Sequence, residues 1–289
     1  MTPAKSINLF TQHSRNWRHN RYVYPVISRR SAGLSIGVNL NPDRVCNFDC
    51  IYCCVDRTTM PGRVEVDLDV LAGELDHLLQ LAASGAIWTT PPFDKTPVEL
   101  RRLNDIAFSG DGEPTSFQRF REACELAAQS LDRLALRDVK IVVITNATLL
   151  HQNRVQDALA FLDRHNGEIW AKLDAGTDAY YHLVERTTIP FRRILDNILD
   201  CGRRRPIVIQ SLFMNINGQP PGEDEIAAYI QRLRDLKAAG CQIKLVQVYT
   251  TARETAEKYV TPLTDAQVDA IADKVRAIGL AGAAYYGPS

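Results

Sequence analysis

The sequence predicts an α/β protein with a parallel sheet, built either as an open sheet covered on both faces or as a partial barrel. Two observations predict it. Strand-like and helix-like segments alternate along most of the 289 residues, the order that right-handed crossovers between parallel strands produce. Strands such as KIVVI are apolar at successive positions, as expected when helices cover one face and a barrel interior or further helices cover the other.

The elements follow in order. LSIGVNL (34–40) reads as the first strand and 67–83 as a helix. NDIAFSG (104–110) is the second strand. The helix after it carries Phe117, Phe120, Cys124, Ala127, Leu131 and Leu134 at steps of three and four, which draw one apolar face. Thr115 and Gln118 fit a capping box at its start. VKIVVIT (139–145) is the third strand, with a helix near 152–164. EIWAKLD (168–174) is the fourth, with a helix near 191–203. IVIQSLF (207–213) is the fifth, with a helix near 223–239, and IKLVQVY (243–249) is the sixth. A last helix begins at Thr264, capped through Gln267, and buries Val268, Ile271, Val275 and Ile278. The Pro-rich WTTPPFDKTP (88–97) falls on the helix-to-strand side and is expected to be structural. In both architectures the ligand site lies at the C-terminal ends of the strands, so residues directly after strands are the candidates.

Composition narrows the function classes. Apolar residues make up 45% of the chain and charged residues 24%, an ordinary globular balance. No apolar run approaches the roughly 20 residues of a membrane span. MTPAKSINLF lacks a signal-peptide core, so export is not expected and the cytoplasm is the expected compartment. The formal net charge is zero, which removes a global electrostatic footprint for nucleic acid. Locally, RNWRHNRYVYPVISRR (15–30) interleaves five arginines with Trp17, Tyr22 and Tyr24. Arginines contact phosphates and aromatic rings stack on bases, so this segment is a candidate RNA contact. A solvated arm, or one packed over the open side of a barrel, fits equally. The expected organisation is a basic and aromatic arm over 1–30 and a barrel over 31–289.

Four of the seven cysteines lie between positions 46 and 54. Cys46, Cys50 and Cys53 form C-x3-C-x2-C on the loop after the first strand. Thiolates select zinc, copper or iron–sulfur. A closed zinc site needs a fourth ligand; Cys54 follows Cys53 directly and diverges from it, and no pattern links His77. An iron–sulfur cluster held by three cysteines keeps one iron open. Cys124 and Cys241 read as core residues, and Cys201 has no evident role.

CNFDCIYC, with Tyr52 before its last cysteine, resembles the signature of the radical S-adenosylmethionine (radical SAM) enzymes. That resemblance implies a partial (β/α)6 TIM-like barrel. It implies a [4Fe-4S] cluster on Cys46, Cys50 and Cys53, with S-adenosylmethionine chelated at the open iron and cleaved to a 5′-deoxyadenosyl radical that abstracts hydrogen from a substrate. It also implies an electron donor such as flavodoxin or ferredoxin. FSGDGEPT (108–115) resembles the family's glycine-rich turn for the methionine amino group, through Gly110, Gly112 and Glu113, although Asp111 separates the glycines. Glycines there would allow close approach and positive φ. By the same resemblance Tyr52, Lys172 and Asp174 are cofactor contacts, with a structural Lys172–Asp174 pair as the alternative. Asn146, Gln210, Ser211 and Gln247 are candidates for the cavity wall, and Val248 and Tyr249 for the adenine. The loop TDAYYHLVERTTIP, with Tyr180, Tyr181, His182 and Glu185, is a candidate substrate lid. SIGVNLNP, CNFDCIYC and FSGDGEPT together look most like the branch containing the wyosine-forming tRNA enzymes. Those carry a second cluster on upstream cysteines; residues 1–45 here contain none, so one cluster is expected. Two other readings stay open: a radical activase or modifier of a partner protein or peptide, and a non-catalytic zinc or iron–sulfur sensor.

Overall fold

The computed structural model describes residues 17–58, 62 and 64–287; the first sixteen residues of the expected arm lie outside that set. In chain order the strands are β1 (Val23–Ser28), β2 (Gly33–Val38), β3 (Leu103–Phe108), β4 (Lys140–Thr145), β5 (Gly167–Lys172), β6 (Ile207–Leu212), β7 (Met214–Ile216), β8 (Ile243–Tyr249), β9 (Val260–Pro262) and β10 (Gly282–Tyr285). The α-helices are α1 (Leu68–Ala83), α2 (Phe120–Arg133), α3 (Asn153–Leu162), α4 (Asp178–Glu185), α5 (Phe191–Arg204), α6 (Glu223–Ala238) and α7 (Asp265–Ala277). Eight strands form one curled sheet, a half-barrel, in the order β1-β2-β3-β4-β5-β6-β8-β10; β7 and β9 pair separately. β1 is antiparallel to β2, and every other neighbour in the large sheet is parallel.

The six strands read from the sequence are β2, β3, β4, β5, β6 and β8. Both of their faces are covered. Outward residues such as Ile36, Ile106, Ile141, Ile169 and Ile209 join the helices in the main core. Inward, Ala107, Val142, Trp170 and Val208 form a small apolar plug with Ile144 and Leu245 against it. Beside the plug the buried Glu168 carboxylate accepts from Trp170 Nε1 (2.8 Å) and pairs with Lys140 (3.1 Å) and Lys244. Helix starts follow their caps: Asp67 accepts from the Asp69 and Val70 amides at α1, and the Thr264–Gln267 box is present at α7.

Two edges extend the prediction. Part of the segment expected as a basic arm is β1, an edge strand, where Pro25 is tolerated because an edge does not need every amide. Trp17, Tyr22 and Tyr24 are only 9%, 1% and 5% exposed, so these rings pack in the core and offer little outer surface for base stacking. At the other edge β10, GAAY, pairs with β8 after α7; its Gly and Ala carry little strand signal. The helix expected from Thr115 starts at Phe120 instead. Residues Pro114–Ser116 form a short 3₁₀ turn, and the Thr115 hydroxyl is bonded to the buried Glu113 carboxylate (2.5 Å), so it does not cap a helix. Residues 86–100 form three 3₁₀ turns between α1 and β3, away from the cavity. Among the described residues no helix is long and apolar enough to cross a membrane.

Candidate functional site

A cavity of about 300 Å³ opens inside the half-barrel at the C-terminal ends of the parallel strands and along β1. Cys46, Cys50, Cys53 and Cys54 all line it, together with Tyr52, Gly110, Gly112, Glu113, Asn146, Lys172, Gln210 and Tyr249. The expected metal and cofactor residues are therefore assembled around one space, with two exceptions: Asp174 and Val248 are not in the wall.

The cysteine loop is held from below by α4. The Asp49 and Ile51 amides donate to the Glu185 and Val184 carbonyls (3.1 and 2.9 Å), satisfying acceptors that a helix C-terminus otherwise leaves open. Thr187 Oγ1 donates to the Asn47 carbonyl (3.1 Å). The segment expected as a lid is thus the loop's foundation. Tyr181 is buried against Phe48 and Phe191, and exposed His182 has local partners, the Thr187 carbonyl and the Asp178 carboxylate. From the side, Asn146 Nδ2 donates to Asn47 Oδ1, and Asn47 Nδ2 to Thr148 Oγ1, both at 2.7 Å.

The glycine turn serves this loop as well. A Cβ on Gly112 would strike the Val45 carbonyl, next to Cys46, and one on Gly110 would strike Asn39. Neither glycine has positive φ; the missing side chain lets the turn dock on the cysteine loop, which corrects the expectation of a left-handed backbone. Asp111 is tied to Asn39, accepting from its Nδ2 at 2.6 Å. Glu113 is 2% exposed and accepts from Thr115 N, Thr115 Oγ1, Thr145 Oγ1 and Asn146 N. Burial pushes its carboxyl above the usual range, against those four donors. Most of its acceptor capacity is used in joining the ends of β3 and β4.

A second buried network lies beneath Cys50. Lys172 pairs with Asp174 (2.9 Å) and donates to the Tyr249 hydroxyl (2.9 Å). Asp174 accepts from the Tyr52 hydroxyl and the Leu212 amide, each at 2.6 Å. Its side chain is a structural hub set behind the wall, while Lys172 faces the cavity. Glu185, also buried, accepts from Cys50 Sγ (2.6 Å) and lies 3.3 Å from the Tyr52 hydroxyl. Burial and the Asp174 charge raise the Glu185 carboxyl; burial and Glu185 raise the Cys50 thiol. Burial also raises the Cys46 thiol, to about 11. In contrast, Arg57 donates to Cys53 Sγ (2.9 Å) and to the Asp111 carbonyl (2.9 Å), placing a cation on that sulfur. Arg57 was not legible as a site residue, its only signal being a base shortly after the last cysteine.

Other candidates divide by strand parity. Gln210 faces the cavity, donates to Gln247 Oε1 (2.7 Å) and leaves its own Oε1 buried without a partner. Gln247, its register partner on β8, stands beside it but is not in the cavity wall. Ser211 turns outward to the Tyr229 hydroxyl (2.7 Å), and Val248 packs in the main core, so only its backbone is near the cavity end of β8. Cys124, Cys201 and Cys241 are buried core residues.

The residues fit a soft inorganic cluster with an organic partner. Three thiols from one loop border one cavity, Gln210 in its wall has a buried amide oxygen without a partner, and the wall combines apolar rings with a cation. Among the described residues no three or more His, Cys, Asp or Glu side chains are arranged around a single metal-ion position.

Comparison with known proteins gives the family and the fold. The family model described as the Radical SAM superfamily matches residues 40–230. The chain is 28% identical over 142 residues to a UPF0026 protein of Helicobacter pylori, covering 48% of this chain and 39% of that protein. It is 21% identical over 250 residues to UPF0026 protein MJ1312 of Methanocaldococcus jannaschii, covering 82% and 65%. It is 22% identical over 259 residues to a protein named GTPase Obg of Brachyspira hyodysenteriae, covering 86% and 32%. The chain thus spans about a third to two thirds of the length of these relatives. Among solved structures, a radical SAM methyltransferase from Sphaerobacter thermophilus shares the fold with a TM-score of 0.58 at 15% identity, covering 91% of this chain and 69% of that one. The structure of TYW1 with a lysine-pyruvate adduct bound gives 0.53 at 15% identity, covering 84% and 73%.

Proposed function

The chain belongs to the radical SAM superfamily, and on that premise we propose that Cys46, Cys50 and Cys53 hold a [4Fe-4S] cluster beside a site for S-adenosylmethionine. The observation that carries the reading is the placement of all three thiols on the wall of one cavity at the C-terminal strand ends. When bound, the cluster supplies the electron that cleaves the cofactor to a 5′-deoxyadenosyl radical, which takes hydrogen from a substrate.

The chain's own residues prepare the site. Arg57 holds its guanidinium against the Cys53 sulfur and the Asp111 carbonyl, joining the cysteine loop to the glycine turn. Burial raises the Cys46 and Cys50 thiols, which favours their protonated forms, and loading of a cluster would require those protons to leave. Lys172 sits 4.8 Å from the Tyr52 ring and 5.4 Å from the Tyr249 ring and offsets the Asp174 charge there. The Gln210 oxygen is left to accept from a ligand donor. Glu113 and Asn146 fix the glycine turn, the β4 end and the cysteine loop relative to one another. The apolar plug beneath fills the barrel interior with carbon side chains, which would help keep water from a carbon radical formed above it.

The test is anaerobic reconstitution followed by reduction. Wild-type protein is expected to bind about four irons and to release 5′-deoxyadenosine from S-adenosylmethionine with dithionite. Alanine at any of Cys46, Cys50 or Cys53 is expected to abolish both. Protein that holds stoichiometric zinc and never cleaves the cofactor would overturn the reading.

A further inference from the structure

The cavity has a basic flank that neither the cluster nor the glycine turn explains. Arg29 and Arg30, in the β1–β2 hairpin, and Arg253, in the loop after β8, line it together. Arg30 Cζ lies 4.8 Å from the Tyr249 ring centroid and 5.8 Å from that of Trp170, both of them wall residues. The Arg30 carbonyl accepts from the Tyr285 hydroxyl of β10 (3.5 Å), so the hairpin is tied to the far edge of the sheet.

Among the described residues, none of the three guanidinium groups is hydrogen-bonded or ion-paired to a side chain, and Arg29 Nη1 is sealed from solvent without an acceptor. Two acids line the same cavity. Asp105 accepts from Ser35 and its charge is felt by Arg30, though without an ion-pair contact, and Glu113 already takes four donors. Burial and the charges of Arg30 and Arg253 both disfavour the protonated form of Arg29, pulling it to about 10. Three half-buried guanidinium groups that make no ion pair with a described side chain leave an excess of positive charge, which costs stability. A fold keeps such a group where a ligand supplies the missing anion.

We propose that Arg29, Arg30 and Arg253 form a phosphate subsite, and that the substrate is a small molecule carrying a phosphate monoester anchored there. A phosphate is favoured over a carboxylate because three cationic forks match a group bearing close to two negative charges and three acceptor oxygens. A small molecule is favoured over RNA because the cavity holds only about 300 Å³ and the aromatic rings of the same segment are largely buried. The inference rests on the proposed radical chemistry for what becomes of the bound molecule; the anion site itself does not require it.

The experiment uses iron-free full-length protein, so that its outcome is separate from cofactor cleavage. Inorganic phosphate, acetate and a short single-stranded RNA are titrated by calorimetry, and Tm is followed in parallel. Phosphate is expected to bind saturably and raise Tm by mass action. Arg29→Gln, Arg30→Gln and Arg253→Gln should each weaken it about tenfold or more, as loss of a charge-assisted bond predicts. Arg29→Gln should also raise Tm in the absence of phosphate, because it relieves an unpaired buried charge; a variant that merely unfolds would lower it. Arg192→Gln, an exposed arginine on α5, should change nothing. The inference is overturned by unsaturable phosphate binding, by equal affinity in all variants, by acetate binding as tightly as phosphate, or by RNA binding more tightly. It also falls if the variants lose affinity for S-adenosylmethionine and keep it for phosphate. Cofactor cleavage without phosphate binding would sink this inference alone; phosphate binding without cleavage would sink only the proposed chemistry.

Discussion

Each cysteine of the loop has a different electrostatic setting, although the sequence presents them as a uniform motif. Cys50 sits on a carboxylate, Cys53 on a guanidinium, and Cys46 is desolvated. The settings predict different reactivities in iron-free protein. For an acid whose midpoint is raised, the nucleophilic thiolate appears only at higher pH. Alkylation of Cys46 should therefore keep accelerating past the ordinary thiol midpoint of 9.0 toward about 11, as peptide mass spectrometry of a pH series would show. A plateau near 9.0 would contradict the burial assigned to it. Cys54 lines the cavity but is not assigned to the cluster, so Cys54→Ser should retain iron and cleavage where alanine at the other three does not.

At the level of elements, the site depends on joints between strand ends. Glu113 is one such joint. Glu113→Gln replaces an acceptor oxygen by a donor that must face other donors, which should cost about 1–3 kcal/mol in denaturant unfolding and lower cleavage as well. Normal stability with lost cleavage would instead place the carboxylate directly on the cofactor. Gly176 is another joint: any Cβ there would enter the backbone of α6 at Ala228 and Tyr229. Gly176→Ala should destabilise by about 1–3 kcal/mol through overpacking, read from the same unfolding curves. No change would mean that α6 can move away from the β5 end. The expected lid belongs here too. Its residues carry a helical apolar pattern, Tyr181 and Val184, that is too short to separate from a loop by periodicity alone; packing against Phe48 and Phe191 decides it.

Across the whole molecule, the large core lies between sheet and helices; of the cluster loop it takes in Phe48, while Cys46 and Cys50 only pack against its margin. Iron removal should consequently leave the fold intact. Far-UV circular dichroism of chelated protein is expected to match that of loaded protein, with only a lower Tm, unlike small domains that unfold without their metal. Collapse of the spectrum on chelation would show that the loop carries the fold. The barrel seam is also a whole-molecule feature: β1 and β10 cap the two edges, and removal of β10 would expose the β8 edge for pairing with other chains.

The sequence by itself determined the six parallel strands, most of the helices and the cysteine loop, because those depend on local periodicity and on a spacing that one short segment contains. It could also place Gly110, Gly112, Asn146, Lys172, Gln210 and Tyr249 near the site, since residues that follow strands in a parallel sheet share one end. Only the tertiary structure decided which of them reach the cavity. Strand parity turned Val248 and Ser211 outward, and pairing with Lys172 drew Asp174 behind the wall. The conversion of 23–28 from arm to strand, and the meeting of Arg29 and Arg30 with Arg253 more than two hundred residues later, needed the sheet to curl. No local pattern carries contacts at that separation.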